Sequence, residues 1–149
     1  MRMGINMECF EIDSPKIRDR LIAKNHLAFA FPSYIPIVPG HVLICPIRVV
    51  ETCEGLSKEE WEAILSLKLS ICSALKKVFQ AEGFNFAWNM GANAGQSVPH
   101  FHLHVVPRKE GDTGILEYEP RKFLYRPGSR LQSPAEELQE VASLLRMVM

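Results

Sequence analysis

Apolar positions recur along the chain in two registers, one helical and one extended, and the longest helical run follows Ser57. Ser57-Lys58-Glu59-Glu60 has the Ser-x-x-Glu spacing of a capping box, in which each of the two side chains satisfies the other residue's backbone N–H. Behind it Trp61, Ile64, Leu65, Cys72, Leu75, Val78 and Phe79 fall on one helical stripe. Lys68 interrupts the stripe, its stem expected along apolar surface, and Gly83 is the expected stop. Ser14-Pro15 predicts a second helix to about Lys24, with serine as N-cap and proline at the first helical position. Ser133-Pro134-Ala135-Glu136 repeats the capping-box spacing and predicts a helix over the last residues.

Short apolar runs predict strands at 26–31, 41–47 (ending near Pro46), 84–88 and 100–106. Pro32, Pro36, Pro39 and Gly40 mark a rigid, turn-rich loop between the first two, and Gly91 to Gly95 a tight one. Helices and strands alternate with few β-α-β units, which predicts an α+β fold built on an antiparallel sheet.

Composition narrows this picture. The 149 residues suit one domain spanning 1–149, with 113–149 a C-terminal extension. At 47% hydrophobic and 23% charged, a core forms without disulfides or a metal staple. The 17 basic residues balance 17 acidic ones, which argues against general nucleic-acid binding. No apolar stretch approaches the ~18–20 residues of a membrane span, and there is no long apolar stretch near the N-terminus to mark secretion. Cys9, Cys45, Cys53 and Cys72 contain no Cys-x-x-Cys pair; a cytoplasmic protein with reduced thiols is expected, with Cys45 and Cys72 in the core. Phe86 and Trp88 are also expected in the core. The basic residues Arg121, Lys122, Arg126 and Arg130, interleaved with Phe123 and Tyr125, read as a solvated or dimer-contacting extension in preference to a clamp for an outer phosphate or base.

The chemistry concentrates at His100, His102 and His104, which alternate with Phe101 and Leu103. On a strand the three imidazoles would line one face while Phe101, Leu103 and Val105 enter the core. The outer two would stand roughly 13 Å apart, long enough to track a short polyphosphate. An inert surface row is disfavoured, because adjacent charged imidazoles repel. A zinc site could take two ligands from His-x-His, but the nearby segments place no Asp or Glu at an obvious ligand position. Attack on phosphorus suits a neutral imidazole at pH 7, with its neighbours stabilising phosphoryl oxygens or shuttling protons. The preceding Gly95-Gln96-Ser97-Val98-Pro99 favours that third use. Gln96 and Ser97 offer an amide and a hydroxyl for a phosphate and a leaving oxygen, and Gly91 and Gly95 permit close backbone approach.

The segment His100-Phe101-His102-Leu103-His104-Val105-Val106 resembles the motif of the histidine-triad family. Pro39-Gly40-His41-Val42-Leu43-Ile44-Cys45-Pro46 upstream, and Pro107-Arg108 followed by Gly111-Asp112 downstream, resemble its fragile-histidine-triad branch. The resemblance spans roughly residues 8–112. It implies a five-stranded antiparallel sheet carrying a long helix, and a homodimer. It also implies that His102 attacks an α-phosphorus to form a nucleotidyl-histidine that water resolves. His104 and Gln96 would hold phosphate oxygens, Ser97 would stand near the leaving group, and His41 and His100 would orient the cluster and its protons. Asn89 falls at a polar position near the phosphates. Where many members hold the ribose with Asp or Asn, this chain has Ser33. Cys9 lacks the partner that a structural zinc would need, so none is expected.

The activity so implied is hydrolysis of dinucleoside polyphosphates such as diadenosine tri- or tetraphosphate, with magnesium accompanying the substrate. Sibling readings are a nucleoside phosphoramidase, a nucleotidyltransferase and a non-catalytic nucleotide-binding module. The phosphoramidase branch follows its third histidine with a Gly-Gly-Arg segment, where this chain has Pro107-Arg108.

Overall fold

In the computed structural model, which describes residues 9–112 and 132–149, one five-stranded antiparallel sheet runs in the order β1-β2-β3-β5-β4. The strands are β1 (Ala23–Lys24), β2 (Ala28–Pro32), β3 (Val42–Pro46), β4 (Gly83–Ala87) and β5 (Leu103–Arg108). Three helices accompany them: α1 (Pro15–Arg18), α2 (Lys58–Phe79) and, renumbered here in chain order, α3 (Ala135–Met147). The basic segment with Arg121, Lys122, Arg126 and Arg130 lies outside the described residues.

Alternation sorts the strand residues onto two faces. Ala28, Ala30, Val42, Ile44, Leu103 and Val105 face α2 and α3, meeting Ile64, Ile71 and Leu75 of α2 and Ala142 and Leu145 of α3. The other face carries Phe29, Phe31, Leu43 and Cys45, packed with Ile17 and flanked by Phe10, Ile12 and Leu21. Burial on both faces explains the near-continuous apolar runs of β2 and β3, every residue of which is buried.

The capping box forms as expected: Glu60 N–H donates to Ser57 Oγ at 3.0 Å and Ser57 N–H to Glu60 Oε1 at 2.9 Å. The buried stripe of α2 is rotated from the expected one. It runs through Ala63, Ile64, Leu67, Ile71, Ala74 and Leu75, leaving Leu65 exposed and Trp61, Cys72, Val78 and Phe79 on its flanks. Small Ala63 and Ala74 sit where the helix meets the sheet, so the stripe cannot be read from the largest side chains alone. Lys68 lies beside the stripe rather than in it, its ammonium 4.5 Å from the Phe86 ring centroid, a cation–π contact. The helix stops at Gln80, in a left-handed conformation with φ 54°, and Gly83 instead opens β4.

Two other helical expectations are corrected. The helix from Ser14 lasts one turn instead of reaching Lys24. Ile22 N–H donates to Ala30 O, and Ala23 and Lys24 pair with Ala30 and Phe29. Asn25 Oδ1 then accepts from the N–H groups of Leu27 and Ala28 and reverses the chain. Ladder bonds and an Asn turn thus override the helical start signal. At α3 the expected capping box does not form: Pro134 is the N-cap without a side-chain cap, and Ser133 donates its N–H to Tyr34 O at 2.8 Å. Phe86 and Trp88, expected in the core, are 42% exposed because β4 is an edge strand paired only with β5. All four cysteines are free; Cys45 is buried and Cys72 half-buried. No helix among the described residues is long and apolar enough to cross a membrane.

Candidate active site

The site lies on the sheet face turned away from α2. Register aligns Phe31 of β2 with Leu43 of β3, Leu43 with His104 of β5, and His104 with Ala87 of β4. His104 therefore projects from the middle of the sheet. The strand expected from residue 100 begins only at Leu103. Pro99 has no N–H to give, His100 N–H donates to Val98 O, and Phe101 N–H donates to Val50 O at 2.6 Å. His100, Phe101 and His102 thus approach the sheet outside its ladder. The alternation still holds for packing, since Phe101, Leu103 and Val105 are all in the core.

Hydrogen-bond partners fix every ring tautomer in the cluster, because a backbone carbonyl only accepts and a backbone N–H only donates. His102 Nδ1 lies 2.8 Å from His100 O, so Nδ1 carries the proton and the lone pair rests on Nε2. His100 Nε2 lies 2.8 Å from Pro46 O and donates to it, while Nδ1 accepts from Phe10 N–H at 3.1 Å. His41 Nδ1 accepts from Ile37 N–H at 3.0 Å, which puts its proton on Nε2. That proton faces His104 Nδ1 at 2.9 Å, and the proton of neutral His104 then rests on Nε2. The result is one imidazole with a nucleophilic nitrogen beside one with an N–H donor. The two rings meet edge to face, with centroids 5.0 Å apart.

Burial biases His100 and His102 toward their neutral forms. His102 is buried, and desolvation lowers its pKa from the ordinary imidazole value; the bond to His100 O opposes this, and the nearby His100 ring adds a small further lowering. His100 is also lowered, desolvation outweighing its backbone acceptors at Pro46 and Arg48. A neutral His102 is the form that can attack.

The remaining expected residues divide. Gln96 is buried, its Oε1 accepting from Gly91 N–H and its Nε2 donating to Glu51 O, both at 2.8 Å. It ties the loop between the glycines to the chain after β3. Gly91 and Gly95 both have positive φ (91° and 99°), bracketing a 3-10 turn at Ala92–Ala94. Ser97 is half-buried in that loop, and Asn89 is half-buried just past β4. Ser33 is buried at the end of β2, its hydroxyl accepting from Ile35 N–H at 3.3 Å and its own N–H bonded to His41 O.

Phe10 was not legible as a site residue. Besides bonding to His100 it sets its ring edge-on to His102, centroids 5.2 Å apart, and against Phe31. Its only signal is the apolar alternation of Cys9-Phe10-Glu11-Ile12. Among the described residues no group of three His, Cys, Asp or Glu is arranged to hold a metal ion.

Comparison with known proteins gives the family and the fold. A family model described as "HIT domain" matches residues 14–111. The chain is 36% identical over 124 residues to a Dictyostelium discoideum protein named bis(5'-adenosyl)-triphosphatase, covering 82% of this chain and 80% of that one. It is 34% identical over 96 residues to a Schizosaccharomyces pombe protein named bis(5'-nucleosyl)-tetraphosphatase [asymmetrical], covering 64% of this chain but only about half (53%) of that one. Among solved structures, a Plasmodium falciparum diadenosine triphosphate hydrolase shares the fold at a TM-score of 0.74 and 23% identity, with 98% of this chain and 84% of that chain covered.

Proposed function

Because this chain belongs to the HIT-domain family, we propose that it hydrolyses dinucleoside polyphosphates of the diadenosine tri- or tetraphosphate type through a covalent nucleotidyl-histidine. One observation carries the reading: His102 Nδ1 is held by the His100 carbonyl, which leaves Nε2 as the nucleophilic nitrogen. The relationship to a protein named bis(5'-adenosyl)-triphosphatase, across four-fifths of both chains, supports the substrate class.

The chemistry follows from the tautomers. The His102 Nε2 lone pair attacks the α-phosphorus, an N–P bond forms, and the bond from that phosphorus to the bridging oxygen breaks. From diadenosine triphosphate the leaving group is ADP, an anion that needs no proton to depart. The imidazole becomes cationic as it attacks, and the His100 carbonyl on Nδ1–H stabilises that charge. His104, relayed from Ile37 through His41, presents Nε2–H to a phosphoryl oxygen. Gln96 has a second amide proton beyond the one held by Glu51 O, and Ser97 has a hydroxyl; both are assigned to phosphate oxygens. Asn89 and Ser33 are assigned to the phosphate and ribose ends. Water then attacks phosphorus, the N–P bond breaks, and AMP leaves with one proton released. The two displacements replace one difficult attack of water on a polyanion. Magnesium carried on the polyphosphate would neutralise part of its charge.

Incubation with diadenosine triphosphate and magnesium, followed by anion-exchange chromatography, tests this. AMP and ADP in equal amounts are expected. Release of AMP only from an adenosine phosphoramidate would move the chain to the phosphoramidase reading.

A homodimer completes the proposal. The edge strand β4 leaves Phe86 exposed, Trp88 and Met90 follow it, and Leu65 and Leu69 of α2 are exposed as well. Lys68 over Phe86, and Trp61 against Trp88, join that strand to α2 in one apolar band. Light scattering should give twice the chain mass at micromolar concentration; a single chain mass would remove the dimer. The setting proposed is the cytoplasm, where the four thiols stay reduced.

A further inference from the structure

We propose that the ion pair between Arg48 and Glu60 is a positioning element for the reaction at His102, an inference that rests on the hydrolase reading above. Residues 46–51, from the last residue of β3 onward, present a series of carbonyls to the loop that carries the chemistry. Pro46 O accepts from His100 Nε2, Val50 O from Phe101 N–H, and Glu51 O from Gln96 Nε2, at 2.8, 2.6 and 2.8 Å. His100 in turn supplies the carbonyl that fixes the His102 tautomer. A shift of this segment would therefore move His100, Gln96 and, through His100, the nucleophile.

This segment is itself tied to the rest of the fold. Ile47 N–H donates to Leu27 O at one end. In the middle stands Arg48, whose Nε and Nη2 both reach the Glu60 carboxylate, at 3.1 and 2.6 Å, while Nη2 also donates to Gly55 O at 2.7 Å. Such a planar fork fixes orientation as well as distance. Glu60 is itself rigid: it is buried, sits in the first turn of α2, and accepts from Ser57 N–H through the capping box. The longest helix thereby anchors the carbonyl series, although Glu60 lies in a different part of the fold from the histidines. The capping spacing explains why a glutamate stands at the helix start. It does not explain why that glutamate is also gripped by an arginine two residues beyond the end of β3.

The test uses Glu60→Gln and Arg48→Met, with Arg48→Lys as the conservative variant and Ser57→Ala as the control for helix capping alone. Steady-state turnover of diadenosine triphosphate should fall about 10- to 100-fold in kcat for the first two, with KM within about threefold, because small misplacements act on the chemical step. Arg48→Lys should recover part of the loss. Ser57→Ala should lower the melting temperature yet keep kcat within about twofold, since a cap contributes to stability and not to orientation. Loss of stability with kcat unchanged in Glu60→Gln and Arg48→Met would overturn the proposal.

Proton-detected nitrogen NMR of the imidazoles supplies a readout independent of turnover. The His100 Nε2–H, held by Pro46 O, should give a slowly exchanging signal in the unaltered protein and lose it in Arg48→Met. If the unaltered protein cleaves no dinucleoside polyphosphate, the substrate reading fails while this signal still decides the latch. An unchanged His100 signal in both variants would then overturn it.

Discussion

Replacing His102 with alanine is expected to lower turnover of diadenosine triphosphate by at least about 10⁴-fold while leaving nucleotide affinity within a few-fold. The asymmetry follows from the tautomer chain. The ring removed is the one whose Nε2 carries a lone pair, whereas the donors assigned to phosphate, on His104 and Gln96, remain anchored by His41 and by the backbone. His104→Ala removes one donor and should cost less, about 10²- to 10³-fold in kcat. Rapid-quench measurement of the covalent intermediate, together with equilibrium binding, separates the two variants. A nucleotidylated protein still forming in His102→Ala would remove His102 as nucleophile. The same burial sets the pH dependence. Protonated His102 has no lone pair at Nε2, and desolvation holds its pKa below the ordinary imidazole value. The acid limb of kcat/KM should therefore lie below about pH 6.5. An acid limb centred above that value would mean that some other group governs attack.

Gly40→Val is expected to destabilise the fold by about 2–5 kcal/mol, a large share of the ~5–15 kcal/mol typical of a domain. Gly40 has φ 91°, a region L side chains rarely adopt. A Cβ there would stand 3.1 Å from each of Leu75 Cδ2, Phe79 Cδ2 and Pro107 Cγ, on α2 and β5. Backbone strain contributes about 1–2 kcal/mol and crowding of a packed site about 1–3. Gly40→Ala should lose about half as much. Activity should fall in parallel, because the next residue is His41, positioned by its N–H to Val38 O and by Ile37 N–H to its ring. Urea unfolding midpoints with an unchanged slope read the stability term. A Gly40→Ala midpoint matching that of the unaltered protein would show that neither the positive φ nor the 3.1 Å contacts carry a cost.

How much of this was written in the chain differs from residue to residue. The long helix, its capping box and the existence of the strands were legible because each depends on neighbours a few positions away. The rotation of the α2 stripe was not, since Ala63 and Ala74 carry little apolar weight and are buried by the sheet they approach. Gln80 as the helix stop was hidden because glycine, not glutamine, is the usual left-handed residue. The one-turn α1 and the uncapped start of α3 share a cause: bonds to distant partners, Ala30 and Tyr34, outweighed local signals.

The site shows the same division. His100, His102 and His104, with Gln96 and Ser97 just before them, stood out as a candidate site because histidines at alternate positions after a glycine-bounded polar loop are chemically conspicuous, whereas His41 entered only through the family resemblance. Which nitrogen of each ring carries a proton was not legible, because that is settled by Phe10, Ile37 and Pro46, the last 54 positions from His100. The sequence by itself determined the long helix with its capping box, the existence of the strands, the α+β class and the clustering of three histidines, since periodicity and residue type are short-range properties. The tertiary structure alone decided the tautomers, the edge exposure of Phe86 and Trp88, and the Arg48–Glu60 bracket. A hydrogen bond between remote segments exists only once the sheet register has brought its donor and acceptor within reach.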